Sequence, residues 1–202
     1  MAFPAFFTRV PRLTLRDPLA ELLGAAEAGF IEYGYADAVR LAGHSCPTVA
    51  GAYLLAWRML DRLYGGEIPE RGGLRLEFRG DQGDGVVGVI AAVLGLLTGA
   101  AGEGGFKGLA GRYGRRGLLC FGVKALAGEV RMTRLDNGAS CTASLDLSPL
   151  PGDPAIGAAL GEILAGTVGM TAAGTAMTAG DAANGAMEEV RAMPLDVLAA
   201  KS

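Results

Sequence analysis

Gly73-Leu74-Arg75-Leu76-Glu77-Phe78-Arg79 and the charge-free run that follows at 85–102, GVVGVIAAVLGLLTGAAG, set one structural period beside another. In residues 73–79 apolar and charged side chains alternate, the mark of a strand with one wet face. Residues 85–102 read instead as a helix buried in a protein core. Eighteen uncharged residues reach the lower limit for a membrane span. The run has five glycines, no aromatic anchors and no basic flank, so a core helix is the expectation and no membrane is implied.

Outward from this pair, Leu118–Val123 reads as a short apolar strand, and Glu129–Leu135 and Ala139–Leu147 as two more. Between the last two lies Asp136-Asn137-Gly138, a hairpin signal because Asn-Gly accepts the positive φ of a tight turn. Upstream, residues 47–64 read as the cleanest amphipathic helix, with Val49, Tyr53, Ala56, Trp57, Leu60 and Leu63 on one face. Pro47 suits its first position and Gly65-Gly66 its end. Residues 17–42 read as helical, from Leu19, Leu22, Leu23 and Ala26 through Phe30, then again from Tyr35 to Leu41. The order predicts an α+β fold, helices packed on a mixed or antiparallel sheet, with a C-terminal helical segment. Pro149, Pro151 and Pro154 separate a core at 1–150, N-terminal helices included, from a helical extension at 151–202 that belongs to the same domain. The Ala/Gly-rich run at 155–179 reads as packed helix, interrupted by Glu162.

The chain has 202 residues, half of them hydrophobic, enough for one sizeable core. A net charge of −3 offers no electrostatic footprint for nucleic acid. Three widely spaced cysteines, Cys46, Cys120 and Cys141, without a C-x-x-C, point away from a disulfide framework and towards a reducing cytoplasmic setting. Met1–Phe7 lacks a basic region and a long apolar stretch, so no signal peptide is expected. Glycine is the outlier, 33 residues against a usual ~7%, which points to tight turns and close backbone approaches.

The chemically pointed element is Gly43-His44-Ser45-Cys46-Pro47, which holds the only histidine and opens the 47–64 helix. A helix N-terminus favours a thiolate, and an imidazole beside it makes a pair of ligands suited to zinc or another transition metal. A cysteine capping a helix, with the histidine incidental, is the competing reading of the same residues.

Gly-His-Ser-Cys-Pro, the helix after it, and the later Leu97-Thr98-Gly99 and Gly104-Gly105-Phe106-Lys107-Gly108-Leu109 resemble the FmdE-like family, named for formylmethanofuran dehydrogenase, over roughly residues 35–125. The resemblance implies an α+β core, a homodimer, and a bound metal, zinc above all, near the His-x-Cys loop. It also implies two ligands absent here: a histidine where this chain has Ala42, and a cysteine where it has Gly83. The cysteine-rich C-terminal zinc finger of some members is missing too. Asp84, or failing that Asp81, is then the expected third ligand, although both also read as turn formers or a helix cap. Two function classes follow: an accessory or cofactor-handling protein with a His44/Cys46 metal site, or a metal-dependent enzyme acting on a small substrate. No general base with an orienting partner can be named, which favours the first.

Two further patterns compete. Gly83-Asp84-Gly85-Val86-Val87-Gly88 matches the dinucleotide fingerprint between a strand and a helix, but the alternating charges of 75–79 do not suit a central parallel strand. Gly104, Gly105 and Lys107, with Arg112, Arg115 and Arg116 beyond, form a candidate anion loop, or else a loop whose glycines let two backbones pass closely. Tyr53 and Trp57 are expected in the core, and Cys120 and Cys141 as buried, inert thiols.

Overall fold

A computed structural model describes residues 3–146. The elements run β1 (Leu13–Arg16), α1 (Pro18–Leu22), β2 (Phe30–Tyr33), α2 (Tyr35–Ala42), α3 (Pro47–Tyr64), β3 (Leu74–Phe78), α4 (Val87–Thr98), β4 (Leu119–Cys120), β5 (Val130–Arg134) and β6 (Ser140–Ala143). The fold is α+β, as its element pattern implies. The expected extension at 151–202, with its run at 155–179, lies outside the described residues.

The main sheet has the order β4-β3-β5-β6, with β3 parallel to β4 and antiparallel to β5, so it is mixed. In β3 the alternation reads out directly: Leu74, Leu76 and Phe78 are buried, while Arg75 is exposed. Opposite Leu76 stand Met132 of β5 and Leu119 of β4, which continue the apolar face. On the other face Glu77 and its register partner Arg131 form a two-armed ion pair, both arms 2.9 Å. The Arg131 hydrogen bond, above all, holds the Glu77 carboxyl below its ordinary range. At the β5–β6 turn, Gly138 sits at φ 76° and its N–H reaches the Arg134 carbonyl at 3.0 Å, the backbone geometry that Asn137-Gly138 permits.

Helices α2, α3 and α4 pack against one another, and α3 and α4 also pack on the sheet. Val49, Tyr53, Ala56 and Leu60 of α3 are buried, while Trp57 and Leu63 on the same stripe are only partly so. The charge-free run becomes α4, shorter than the run itself, with Ile90, Ala91, Val93, Leu94 and Leu97 in the core. No helix among the described residues is long and apolar enough to cross a membrane.

The N-terminal third departs from expectation. The second expected segment, from Tyr35, is helix α2, but the first is cut short: α1 is five residues long, and Phe30 opens β2, which pairs antiparallel with β1. Leu22 and Leu23, which suggested a buried helical stripe, are more than half exposed. Leu13 and Leu15 of β1 point into the core instead, in a strand that alternates buried and exposed residues. The helical spacing at 19–26 yields only the single turn of α1, none of whose residues is buried.

Candidate functional site

His44 and Cys46 occupy the corner between α2 and α3. The Gly43 N–H closes α2 on the Val39 carbonyl at 2.8 Å, and Cys46 is the N-cap of α3, with Pro47 in the first turn. His44 is exposed, and its Nδ1 lies 3.0 Å from the Ala42 carbonyl oxygen. A carbonyl can only accept, so in this contact Nδ1 carries the hydrogen and the neutral ring keeps its lone pair on Nε2. A backbone carbonyl holding one ring nitrogen is the usual support behind a metal-ligating imidazole. Cys46 is partly buried against the core, and its side chain makes no cap hydrogen bond to α3.

Beside it, the Tyr35 hydroxyl and Ser45 Oγ are 2.7 Å apart. Burial pushes the Tyr35 phenol up to about 12, with the neighbouring Cys46 sulfur acting the same way against the Ser45 hydrogen bond. Tyr35 therefore stays protonated at neutral pH and cannot serve as a general base there. Its ring is fixed between Phe7 and Tyr53, at 4.7 and 5.8 Å.

The expected third ligand is not gathered with these two. Among the described residues, no three His, Cys, Asp or Glu side chains form a group that could hold a metal ion. Asp81 and Asp84 lie together in the turn between β3 and α4, where Asp84 Oδ2 accepts the Asp81 N–H at 2.8 Å. Asp81 Oδ2 in turn faces Lys124 Nζ at 3.2 Å. The two carboxylates serve their own turn, the duller of the roles their positions suggested. With these carboxylates engaged elsewhere, the corner itself offers one nitrogen and one sulfur, fewer donors than a closed tetrahedral shell takes.

The glycine-rich loop is a scaffold more than a cradle. Gly105 donates its N–H to the Gly102 carbonyl at 3.0 Å, and a side chain at Gly105 would strike Ala101 and the Arg116 backbone. Gly104 and Lys107 are exposed. Cross-bonds such as Ala101 N–H to Arg115 O, 3.0 Å, and Arg115 N–H to Phe106 O, 2.8 Å, fold the loop on itself. The fold thereby drives Arg115 inward, where it is 7% exposed and donates to Asp17 Oδ1 at 2.6 Å.

Asp17, 3% exposed, is the centre that sequence reasoning missed. Its Oδ1 also accepts the Leu19 and Ala20 N–H groups at 3.0 and 3.2 Å, and its Oδ2 accepts Arg71 Nη1 at 2.8 Å. Burial alone pushes the carboxyl up, but the Arg71 hydrogen bond and the Arg115 charge outweigh it and hold Asp17 below its ordinary value. Asp17-Pro18 is a legible start for α1, but nothing local links Asp17 to arginines 54 and 98 residues away.

The Gly83–Gly88 segment does join β3 to α4, and β4 returns parallel to β3. On its other side β3 pairs antiparallel with β5 and turns Arg75 to solvent, unlike the doubly covered strands of a dinucleotide fold. Cys120 and Cys141 are partly buried rather than fully so, and burial pushes the Cys141 thiol up to about 11. Comparison with protein-family models, curated proteins and solved structures finds no match for the chain.

Proposed function

We propose that this chain is a metal-binding accessory or cofactor-handling protein of the FmdE type, with His44 and Cys46 as its own metal ligands. The observation that carries the reading is the His44 ring, hooked by Nδ1 to the Ala42 carbonyl so that Nε2 is left with its lone pair. One imidazole and one thiol suit zinc or a neighbouring transition metal. The remaining positions belong to water, to a bound small molecule, or to a second copy of the chain in a homodimer. Such an open shell suits a protein that takes up and hands on a metal or cofactor. The rival, a metal-dependent enzyme acting on a small substrate, would need a proton acceptor beside the metal.

Zinc titration of the full chain against a chromophoric chelator, with sedimentation equilibrium on the same samples, tests this. One zinc per chain, abolished in H44A and in C46S, is the expected result, with assembly to a dimer if the second copy supplies ligands. Undiminished zinc binding in both variants, or none in the parent, overturns it.

A further inference from the structure

A cleft of about 640 Å³ lies beside the Asp17 cluster, and Arg16, Glu21, Glu70, Arg71, Arg112 and Arg115 are among the residues that line it, with Tyr113. Its volume is in the range of small-ligand pockets. The lining holds four arginines, Arg16, Arg71, Arg112 and Arg115, against two carboxylates, Glu21 and Glu70, and the Asp17 carboxylate that Arg71 and Arg115 grip is a third. One positive charge is left in excess, on a chain whose net charge is −3.

The arginines are not equally engaged. Arg16 is paired with Glu21, and Arg115 is committed to Asp17. Arg71 divides its two terminal nitrogens between Asp17 and the Leu96 carbonyl, and its buried Nε–H has no acceptor among the described residues. Arg112 has no carboxylate partner among the described residues and rests 5.1 Å from the Tyr113 ring. Holding Arg71 and Arg115 on a single carboxylate sets two like charges side by side, a repulsion that a further anion relieves.

The backbone that presents Arg112 is built for that position. Leu109 and Arg112 exchange both backbone hydrogen bonds, at 2.8 and 2.9 Å, around a turn in which Ala110 has φ 48°. Tyr113 follows at φ 61°, a left-handed conformation that bulky residues rarely adopt. That conformation sets the Arg112–Tyr113 pair on the cleft wall.

We propose that this cleft binds a small organic anion, its carboxylate or phosphate held by the guanidinium groups of Arg112 and Arg71 and its body set against Tyr113. Guanidinium groups match both oxyanions in geometry, and an aromatic wall suits a ring or short chain attached to either. The site is independent of the metal reading at His44.

Isothermal titration of the full chain, with metal removed and ionic strength fixed by sodium chloride, tests it with two probes, sodium phosphate and sodium benzoate. Saturable binding of at least one is expected, with the tighter probe naming the oxyanion. Arg112 is exposed and has no ion pair among the described residues, so R112Q should melt with the parent while binding about tenfold more weakly. R79Q, just past the end of β3, and H44A should bind as the parent does. No saturable binding of either probe, or equal affinity in R112Q and the parent, overturns the proposal.

Discussion

Two helices of this chain begin with a capping residue followed by proline, Cys46-Pro47 at α3 and Asp17-Pro18 at α1, and the two starts are built in opposite ways. The eighteen-residue α3 buries a full face, and its N-cap side chain makes no cap bond. The five-residue α1 buries nothing of its own, and its N-cap carboxylate takes two backbone N–H groups and two guanidinium groups. A long helix held by apolar burial can leave its first side chain unengaged, whereas a single turn depends on its cap and on whatever grips that cap. The Cys46 side chain is therefore not committed to capping its helix, and Asp17 is a structural anchor.

The largest effect that would break this comparison is at the anchor itself. D17A leaves two inward guanidinium groups without their carboxylate and should cost about 3–5 kcal/mol, read as a lower midpoint in urea denaturation. A loss under about 1 kcal/mol would make Asp17 an ordinary cap.

Next comes Gly72, which sits at φ 89° and where a Cβ would fall on Arg115 Nη1. G72A must both strain the backbone and evict that guanidinium, so about 2 kcal/mol or more should be lost by the same assay. An unchanged midpoint would mean that Arg115 has another seat.

The anchor should also show in acid. The folded Asp17 carboxyl lies below its ordinary 3.8. Its stabilisation is then complete above that value and is lost as pH falls through the lower folded-state value. Melting temperature should drop below about pH 4 more steeply in the parent than in D17N, in which no carboxyl is left to titrate. Parallel curves would assign acid sensitivity to other groups.

The smallest stability effect is at the other helix start. H44A removes an exposed ring and should change stability by no more than about 0.5 kcal/mol. A larger loss in the metal-free protein would give His44 a structural role and blur the contrast with Asp17.

Much of the architecture was legible because its signals are local. The alternation at 73–79, the apolar stripe of 47–64 and the Asn137-Gly138 turn each carry their period or φ requirement within a few residues, and each became the element expected. The position of His44 and Cys46 at the start of α3 was legible for the same reason, since Pro47 marks the first turn locally. Tyr35–Leu41 became α2, whereas the stretch from Leu19 to Phe30 misled because Leu19, Leu22 and Leu23 have helical spacing without helical burial. The alternating Leu13-Thr14-Leu15-Arg16 was the overlooked signal of a strand. Gly105 was read as a candidate anion donor, but its N–H is taken within its own loop.

From the sequence alone came the α+β class, the principal helices and strands, and the placement of the lone histidine and a cysteine at the start of α3. Periodicity and capping are properties of a few consecutive residues, so they survive without knowledge of the rest of the chain. Tertiary structure alone decided what engages each carboxylate: Asp84 caps the Asp81 turn and Asp81 faces Lys124, while Asp17 gathers Arg71 and Arg115. It also decided where an arginine-lined cleft opens. An ion pair depends on which distant groups the packing brings within about 4 Å, and no local pattern of residues carries that information.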